Sequence, residues 1–272
     1  MVRSLWSGAT GMLAQQTAVD TISNNIANVN TAGYKTSQNE FKSLLYQELQ
    51  TKTTSANGET KPIDSQVGLG VRSSSITTIF RQGAFLESSS ESSFAIGGKG
   101  LFGVKRADGK TAYTRNGDFH WAVTTTGLEL TDSEGNAVLD TKGNPIKLDG
   151  KDYTTSRITI SNEGELYYPD EKNNPASMGI KIGVWQFNNP AGLEKLDGSL
   201  YLASEASGAA LNEATNNNLE KSRVVQGYLE GSNVQLADEM VNLIVAQRAY
   251  EANSRVITTT DTMMQQANQL KQ

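Results

Sequence analysis

The chain has 272 residues, 37% of them hydrophobic, a formal net charge of −5 and no cysteine. That length supports one large domain or two modest ones with proper cores, yet the apolar fraction and the mean hydropathy of −0.44 are low for a compact chain, so some apolar surface is expected to be covered only between molecules. The acidic balance argues against nucleic acid or an anionic membrane as the main partner, since both call for basic patches, and the missing cysteine excludes disulfides, thiolate metal sites and a cysteine nucleophile.

No run is long and apolar enough to span a bilayer. The start, Met1-Val-Arg-Ser-Leu-Trp6, does not read as a cleaved secretory signal, because polar residues interrupt it and no small-residue cleavage site follows. Residues 1 to about 50 read as helix with few turn signals. Within them Leu5, Met12, Val19 and Ile26 recur every seven residues, a period of about 3.5 that marks a helix packing along another helix. The alternate seam positions are Ala9, Gln16 and Ser23, small or polar. Gly8 and Gly11 each cost a helix about 1 kcal/mol relative to Ala, a cost that close approach of a neighbouring backbone offsets. The run ends at Asn28-Val-Asn30-Thr-Ala-Gly33, where Asn and Gly supply the left-handed conformation that stops a helix.

The middle of the chain reads as β. Asp108-Gly109 separates Phe102–Arg106 from Lys110–Thr114 as a tight hairpin. Gly135-Asn136, Gly143-Asn144 and Glu163-Gly164 mark further turns, and Ile180, Ile182 and Val184 alternate as on one face of a strand. Thr51–Ser65 and Ser204–Ser222 lack apolar periodicity and read as loose. From residue 232 to the end the chain reads as one long helix. Leu236, Leu243, Tyr250, Ile257 and Met264 again fall every seven residues, with Met240 apolar between them and Gln247, Ser254 and Asp261 polar. Ser232 with Gln235 has the spacing of a capping box. The expected fold is α+β. Residues 1–70 give an N-terminal helix and connecting loop, 71–224 a mostly antiparallel β domain, and 225–272 a C-terminal helix that completes a helical assembly domain.

Both helical seams are only half apolar, so a two-stranded coil of these helices alone would be weak, and an isolated helix needs its apolar face covered. Packing on the middle domain is one reading; packing on each other and on further copies is the other, and the narrow stripes at the chain ends favour it.

No motif supports catalysis, a cofactor or a metal. His120 is the only histidine and lies in an apparent strand. Gly97-Gly-Lys-Gly100 lacks the phosphate-loop spacing. Asp132-Ser-Glu-Gly-Asn136 alternates oxygen side chains, but Ala137 and Gly143 stand where a calcium loop needs Gly and Glu, so a hairpin turn is the better reading.

Three stretches carry a resemblance. Asn24-Asn-Ile-Ala-Asn-Val-Asn-Thr-Ala-Gly-Tyr-Lys35, with Asn24, Asn25, Asn28, Asn30 and Gly33, resembles the N-terminal signature of bacterial flagellar rod and hook proteins. Gln226-Gly-Tyr-Leu-Glu-Gly-Ser-Asn-Val234 followed by Val241-Asn-Leu-Ile-Val-Ala-Gln-Arg-Ala-Tyr-Glu-Ala-Asn253, with Arg248, Tyr250 and Asn253, resembles the C-terminal one, and Tyr113-Thr-Arg-Asn-Gly-Asp-Phe119 also matches. The opening residues and the Tyr46–Val71 loop look most like distal-rod members; hook or proximal-rod paralogues are the alternatives. The resemblance implies a non-enzymic subunit, exported unfolded through the flagellar export apparatus without a cleaved signal. It would polymerise in the extracytoplasmic basal body beside other rod and hook proteins, with no cofactor and no membrane insertion. Leu5, Met12, Val19, Ile26, Leu236, Met240, Leu243, Tyr250, Ile257 and Met264 would then form the assembly seam, with Gln16, Ser23, Gln247 and Ser254 fixing register. The rival from another class is a secreted cell-wall hydrolase, for which no catalytic pair stands out.

Overall fold

The computed structural model describes residues 2–50, 65–125, 127–149, 153–170, 174–216 and 218–270. Two helices, α1 (Val2–Ala27) and α2 (Leu236–Gln269), flank in sequence a region of largely antiparallel strands, an α+β arrangement. The chain divides into two compact units. One holds Met1–Ala27, Ser37–Thr77 and Gln235–Gln272; the other holds Asn28–Thr36 and Thr78–Val234.

In the first unit α1 stops at Ala27. The strand Ser37–Ser43 then pairs with Val71–Thr78, and Tyr46–Gln50 pairs antiparallel with Ser65–Gly68. Helix up to about residue 50 is therefore corrected to helix to 27 and strand from 37. No Gly or Pro breaks residues 37–50, and their Leu, Gln, Glu and Lys favour helix, but pairing with distant strands overrides that local propensity. Most of the loose stretch expected over Thr51–Ser65 lies outside the described residues. α2 runs 34 residues without Gly or Pro, with Asp238 and Glu239 in its first turn where the helix dipole favours negative charge. The capping box expected from Ser232 and Gln235 does not form: Gln235 is the N-cap without a side-chain bond, and Ser232 Oγ accepts from the Val234 amide at 3.3 Å.

In the second unit the hairpin Leu101–Lys105 and Thr111–Thr114 forms in the register Val104↔Ala112. Gly109 closes it at φ +78°, while Asp108 Oδ1 accepts from the Lys110 amide at 3.0 Å, the local bond that makes Asp-Gly a turn former. Around this hairpin a ten-stranded sheet assembles. Ala137–Val138 and Val184–Gln186 both pair with Leu101–Lys105, and Leu200–Leu202 pairs with Thr111–Thr114. Because side chains alternate across a strand, Phe102 and Val104 enter one core with Phe94, Phe119, Leu130, Ile146, Leu166 and Ile182. Leu101 and Tyr113 enter another with Trp185, Phe187 and Tyr201. Each fully buried large side chain contributes about 1.5–3 kcal/mol. Gly103 is required here, since a Cβ would sit 2.3 Å from the Trp185 ring.

The run from Ile180 keeps Ile180, Ile182 and Val184 on the first core, although Gly183 splits it into the strands Pro175–Lys181 and Val184–Gln186. Ser204–Ser222 is not loose. Leu211–Asn212 pairs with Val184–Gln186. Buried Glu213 accepts from Gln186 Nε2 at 2.8 Å, the Ser222 amide at 2.7 Å and Ser222 Oγ at 2.7 Å. Polar bonds, not an apolar stripe, order this stretch, so periodicity could not reveal it.

Candidate assembly site

Along α1 the buried residues are Gly8, Gly11, Ala14, Ala18, Thr21 and Asn25. From Gly11 they step by three and four, the rhythm of a face that packs along a helix. Along α2 Glu239, Ala246 and Thr260 are buried and Asn253 is half-buried, seven residues apart in turn. The two lines meet at small residues. A Cβ on Gly8 would lie 3.0 Å from Ile257 Cγ1, and one on Gly11 2.6 Å from Asn253 Nδ2. The Ser4 and Thr260 hydroxyls are 3.4 Å apart. Asn25 Nδ2 donates to Glu239 Oε1 at 3.4 Å and to the Ser37 carbonyl at 2.8 Å, while Asn25 Oδ1 accepts from the Ser37 amide at 2.9 Å. Burial pushes the Glu239 carboxyl above its usual range; the bond from Asn25 pulls it back, and Asp238 adds to the rise.

The residues singled out from sequence flank this line. Leu5, Met12, Val19, Ile26, Leu243, Ile257 and Met264 are half-buried, and Leu236, Met240 and Tyr250 are exposed. Among the polar seam positions Gln16, Ser23 and Gln247 are exposed and Ser254 is half-buried. Asn24 and Asn30 are exposed, and Asn28 Oδ1 accepts from Thr31 Oγ1 at 3.1 Å. Arg248 donates to Glu251 at 2.8 Å on the surface. The sequence reading missed the outward apolar residues: Trp6 and Leu13 on α1, and Val241, Ile244, Val245, Val256 and Met263 on α2, between 44% and 66% exposed.

A second constellation lies in the β-rich unit. Lys35 and Glu230 are 0% exposed, and Lys35 Nζ donates to Glu230 Oε1 at 2.6 Å and to the Arg81 carbonyl at 2.9 Å. Arg115 Nη1 donates to Glu230 Oε2 at 2.9 Å and to the Ile96 carbonyl at 3.1 Å, and Nη2 donates to the Gly98 carbonyl. The Gly83 amide donates to Glu230 Oε1 at 2.9 Å, and the Gly33 amide to the Glu230 carbonyl at 2.7 Å. Beside it Asn233 Oδ1 accepts from the Thr36 amide and hydroxyl at 2.8 and 2.7 Å, and its Nδ2 donates to the Ile79 and Arg81 carbonyls at 2.8 and 3.0 Å. Burial pushes both Lys35 and Arg115 below their usual ranges, and the Glu230 carboxylate opposes that in each case. One carboxylate thus serves two buried cations, and removing it would leave both uncompensated.

Three family models match: "Flagella basal body rod protein" over residues 5–35, "Flagellar hook protein FlgE/F/G D1 domain" over 95–168, and "Flagellar basal body rod FlgEFG protein C-terminal" over 225–270. The "Flagellar basal-body rod protein FlgG" of Borreliella burgdorferi is 40% identical over 273 residues, covering 100% of this chain and 99% of the relative. The chain belongs to the flagellar basal-body rod protein family. The protein of the same name from Bacillus subtilis is 36% identical with 100% of both chains covered. The "Flagellar hook-basal body complex protein FlhP" of that organism is 30% identical, again over 100% of both.

Each matched segment contributes one member of the buried charge cluster: Lys35 from the first, Arg115 from the second, Glu230 from the third. The same three residues stand inside the sequence motifs quoted above. In the sequence each stands only as a single charged residue among other polar ones, with nothing to pair it with the other two. Among the described residues no group of His, Cys, Asp and Glu could hold a metal, and no helix is long and apolar enough to cross a membrane. His120 is exposed, with Nδ1 3.9 Å from Asp118 Oδ1.

Proposed function

We propose that this chain is a non-catalytic structural subunit of the distal flagellar basal-body rod. In this reading it polymerises through α1 and α2 into a hollow helical shaft that transmits torque and lets exported subunits pass, and it meets neighbouring rod and hook proteins at its ends. Its own export would run unfolded through the flagellar export apparatus. Full-length similarity to FlgG proteins supports the rod assignment.

The observation that carries polymerisation is the apolar surface left exposed on α2. Met240, Val241, Ile244 and Val245 form one exposed apolar patch on the face of α2 away from α1, with Leu236, Val256 and Met263 exposed beyond it along the helix. A broad apolar face of this kind can meet a neighbouring copy, and heterologous contacts between identical subunits build open helices. The test is electron microscopy of the purified chain at rising concentration beside Val245→Asp. At 62% exposure the aspartate leaves the monomer folded, but it would place an unpaired carboxylate in an interface. Tubes from the wild type and none from the variant are expected; a variant that polymerises at the wild-type concentration overturns the reading.

A further inference from the structure

We propose that Asn116 is a deamidation site that the unfolded chain exposes and the fold closes, and that an isoaspartate formed there bars the β-rich unit from folding. The inference does not depend on the assembly reading above. It starts from the dipeptide Asn116-Gly117. In an unfolded chain hydroxide removes the Gly117 amide proton, and the nitrogen attacks Asn116 Cγ. The new N–C bond closes a succinimide ring, and the side-chain nitrogen leaves as ammonia. Water then adds at one of the two ring carbonyls and opens the ring, leaving aspartate or isoaspartate; nothing is oxidised or reduced. A glycine after the asparagine favours the first step, because no Cβ hinders the approach and the backbone turns freely.

The fold removes both freedoms. Gly117 is buried, and a Cβ on it would lie 1.6 Å from the Phe94 carbonyl oxygen. Its own carbonyl accepts from the Phe94 amide at 2.9 Å and the Phe119 amide at 3.0 Å. The Asn116 amide donates to Thr114 Oγ1 at 3.0 Å, and Asn116 Oδ1 accepts from the Asp118 amide at 3.1 Å. Ring closure has to turn the Asn116–Gly117 peptide plane against the Asn116 side chain, and these bonds resist that turn. In the folded chain the reaction therefore waits on local opening. The same packing excludes the isoaspartate product. Its main chain runs through Cβ, which lengthens the backbone by one carbon–carbon bond, about 1.5 Å. Thr114 on one side is paired with Phe102 and Leu200, and Asp118 on the other bridges to Ser93. Ser93, Thr114 and Arg115 are buried, so neither side has slack to absorb the extra length. The fold thus needs the dipeptide that carries the liability: Gly117 leaves no room for a side chain, and Asn116 supplies the turn.

The experiment uses the full chain carrying Asn57→Ser, which removes the other Asn-Gly pair. It is held at mildly alkaline pH, folded in buffer and, in parallel, unfolded in guanidinium chloride. Mass spectrometry of the chymotryptic peptide Thr114–Phe119 follows the replacement of NH2 by OH, and electron-transfer fragmentation tells isoaspartate from aspartate. The unfolded samples are then diluted to refold, and folded chains are separated by size exclusion. Deamidation at Asn116 is expected to run at least about tenfold slower in the folded chain. Chains with aspartate at 116 refold, since its carboxylate still accepts from the Asp118 amide, and chains with isoaspartate stay in the fraction that does not. Equal rates in the folded and unfolded chain overturn the protection. Isoaspartate chains refolding in the same proportion as aspartate chains overturn the block to folding.

Discussion

Replacing Gly33 by alanine tests the buried cluster from the backbone side. Gly33 sits at φ +71°, which an L side chain adopts at a cost of about 1–2 kcal/mol. The added Cβ would lie 2.4 Å from the Asn116 amide nitrogen and 2.7 Å from the Arg115 carbonyl carbon. Both are backbone atoms that cannot rotate aside. The segment around Gly33 must retreat, at the expense of its 2.7 Å bond to the Glu230 carbonyl, worth about 1 kcal/mol, and of the Lys35–Glu230 contact two residues on, whose outright loss costs about 3–5 kcal/mol. A loss of at least about 3 kcal/mol follows, since even a partial retreat sums the strain, the bond and part of the ion pair. Gly109→Ala is the internal control: φ there is +78°, but nothing lies within 4 Å of the new methyl, so only about 1 kcal/mol is lost. Both are measured by urea unfolding, followed by tryptophan fluorescence in a Trp6→Phe background so that Trp121 and Trp185 report. Equal midpoint shifts for the two variants would refute the close packing of Gly33 against Arg115 and Asn116.

The raised carboxyl of Glu239 means that above pH 4.5 the folded chain holds a proton the unfolded chain has released, so the helical unit loses stability as pH rises through that window. Glu239→Gln keeps a partner for Asn25, removes this dependence, and should melt above wild type at pH 7 by circular dichroism at 222 nm; a variant with the wild-type pH response counts against the burial. Lys35 is lowered from 10.5, so the unfolded chain binds the proton more tightly, and stability climbs with pH below 10.5. That climb should vanish in Lys35→Met when urea midpoints are compared between pH 8 and 10. Glu213→Ala strands the Ser222 amide, which donates at 2.7 Å, and removes a bond from Gln186, for about 2–4 kcal/mol in total. A thermal shift no larger than that of a surface substitution would show that the Glu213 bonds do not hold this stretch in place.

What the sequence made legible was whatever local chemistry determines. Asp108-Gly109 and the turns at Gly135, Gly143 and Gly164 all carry positive φ at glycine, and a turn needs no distant partner to be recognised. The core face of Ile180, Ile182 and Val184 followed from alternation. Illegible were the features that distant segments create. The strands of Ser37–Ser43 and Tyr46–Gln50 exist because residues from 65 onward pair with them, and the order within Ser204–Ser222 comes from the pairing of Leu211–Asn212 with Val184–Gln186 and from polar bonds such as those to buried Glu213. Glu230 looked like any acidic residue before a helix. Only the fold brings Lys35 and Arg115 to it. The helical seam shows a subtler difference. Heptads of large apolar residues drew attention to Leu5, Met12, Val19 and Ile26, while the line that α2 covers is Gly11, Ala14, Ala18, Thr21 and Asn25. Hydrophobic periodicity ranks residues by size, and close approach of two helices is favoured by the smallest ones.

That choice of residues has an energetic consequence. Glycine, alanine and threonine remove little apolar area from water, so at about 25 cal/mol per Å² their line contributes far less than a leucine seam would. Gly8 and Gly11 further weaken α1 by about 1 kcal/mol each relative to alanine. The strong apolar residues, Trp6, Leu13, Val241, Val245 and Met263, are left facing outward. A helical unit built this way gains little from its own seam and leaves its largest apolar side chains exposed. Gly8→Ala separates the two effects. Helix propensity alone predicts a gain of about 1 kcal/mol, whereas a Cβ 3.0 Å from Ile257 Cγ1 forces that side chain to shift. If the variant's α1 and α2 amides exchange more slowly than wild type, the close approach at Gly8 is not limiting; if they exchange faster, the small-residue line is what sets the helix spacing.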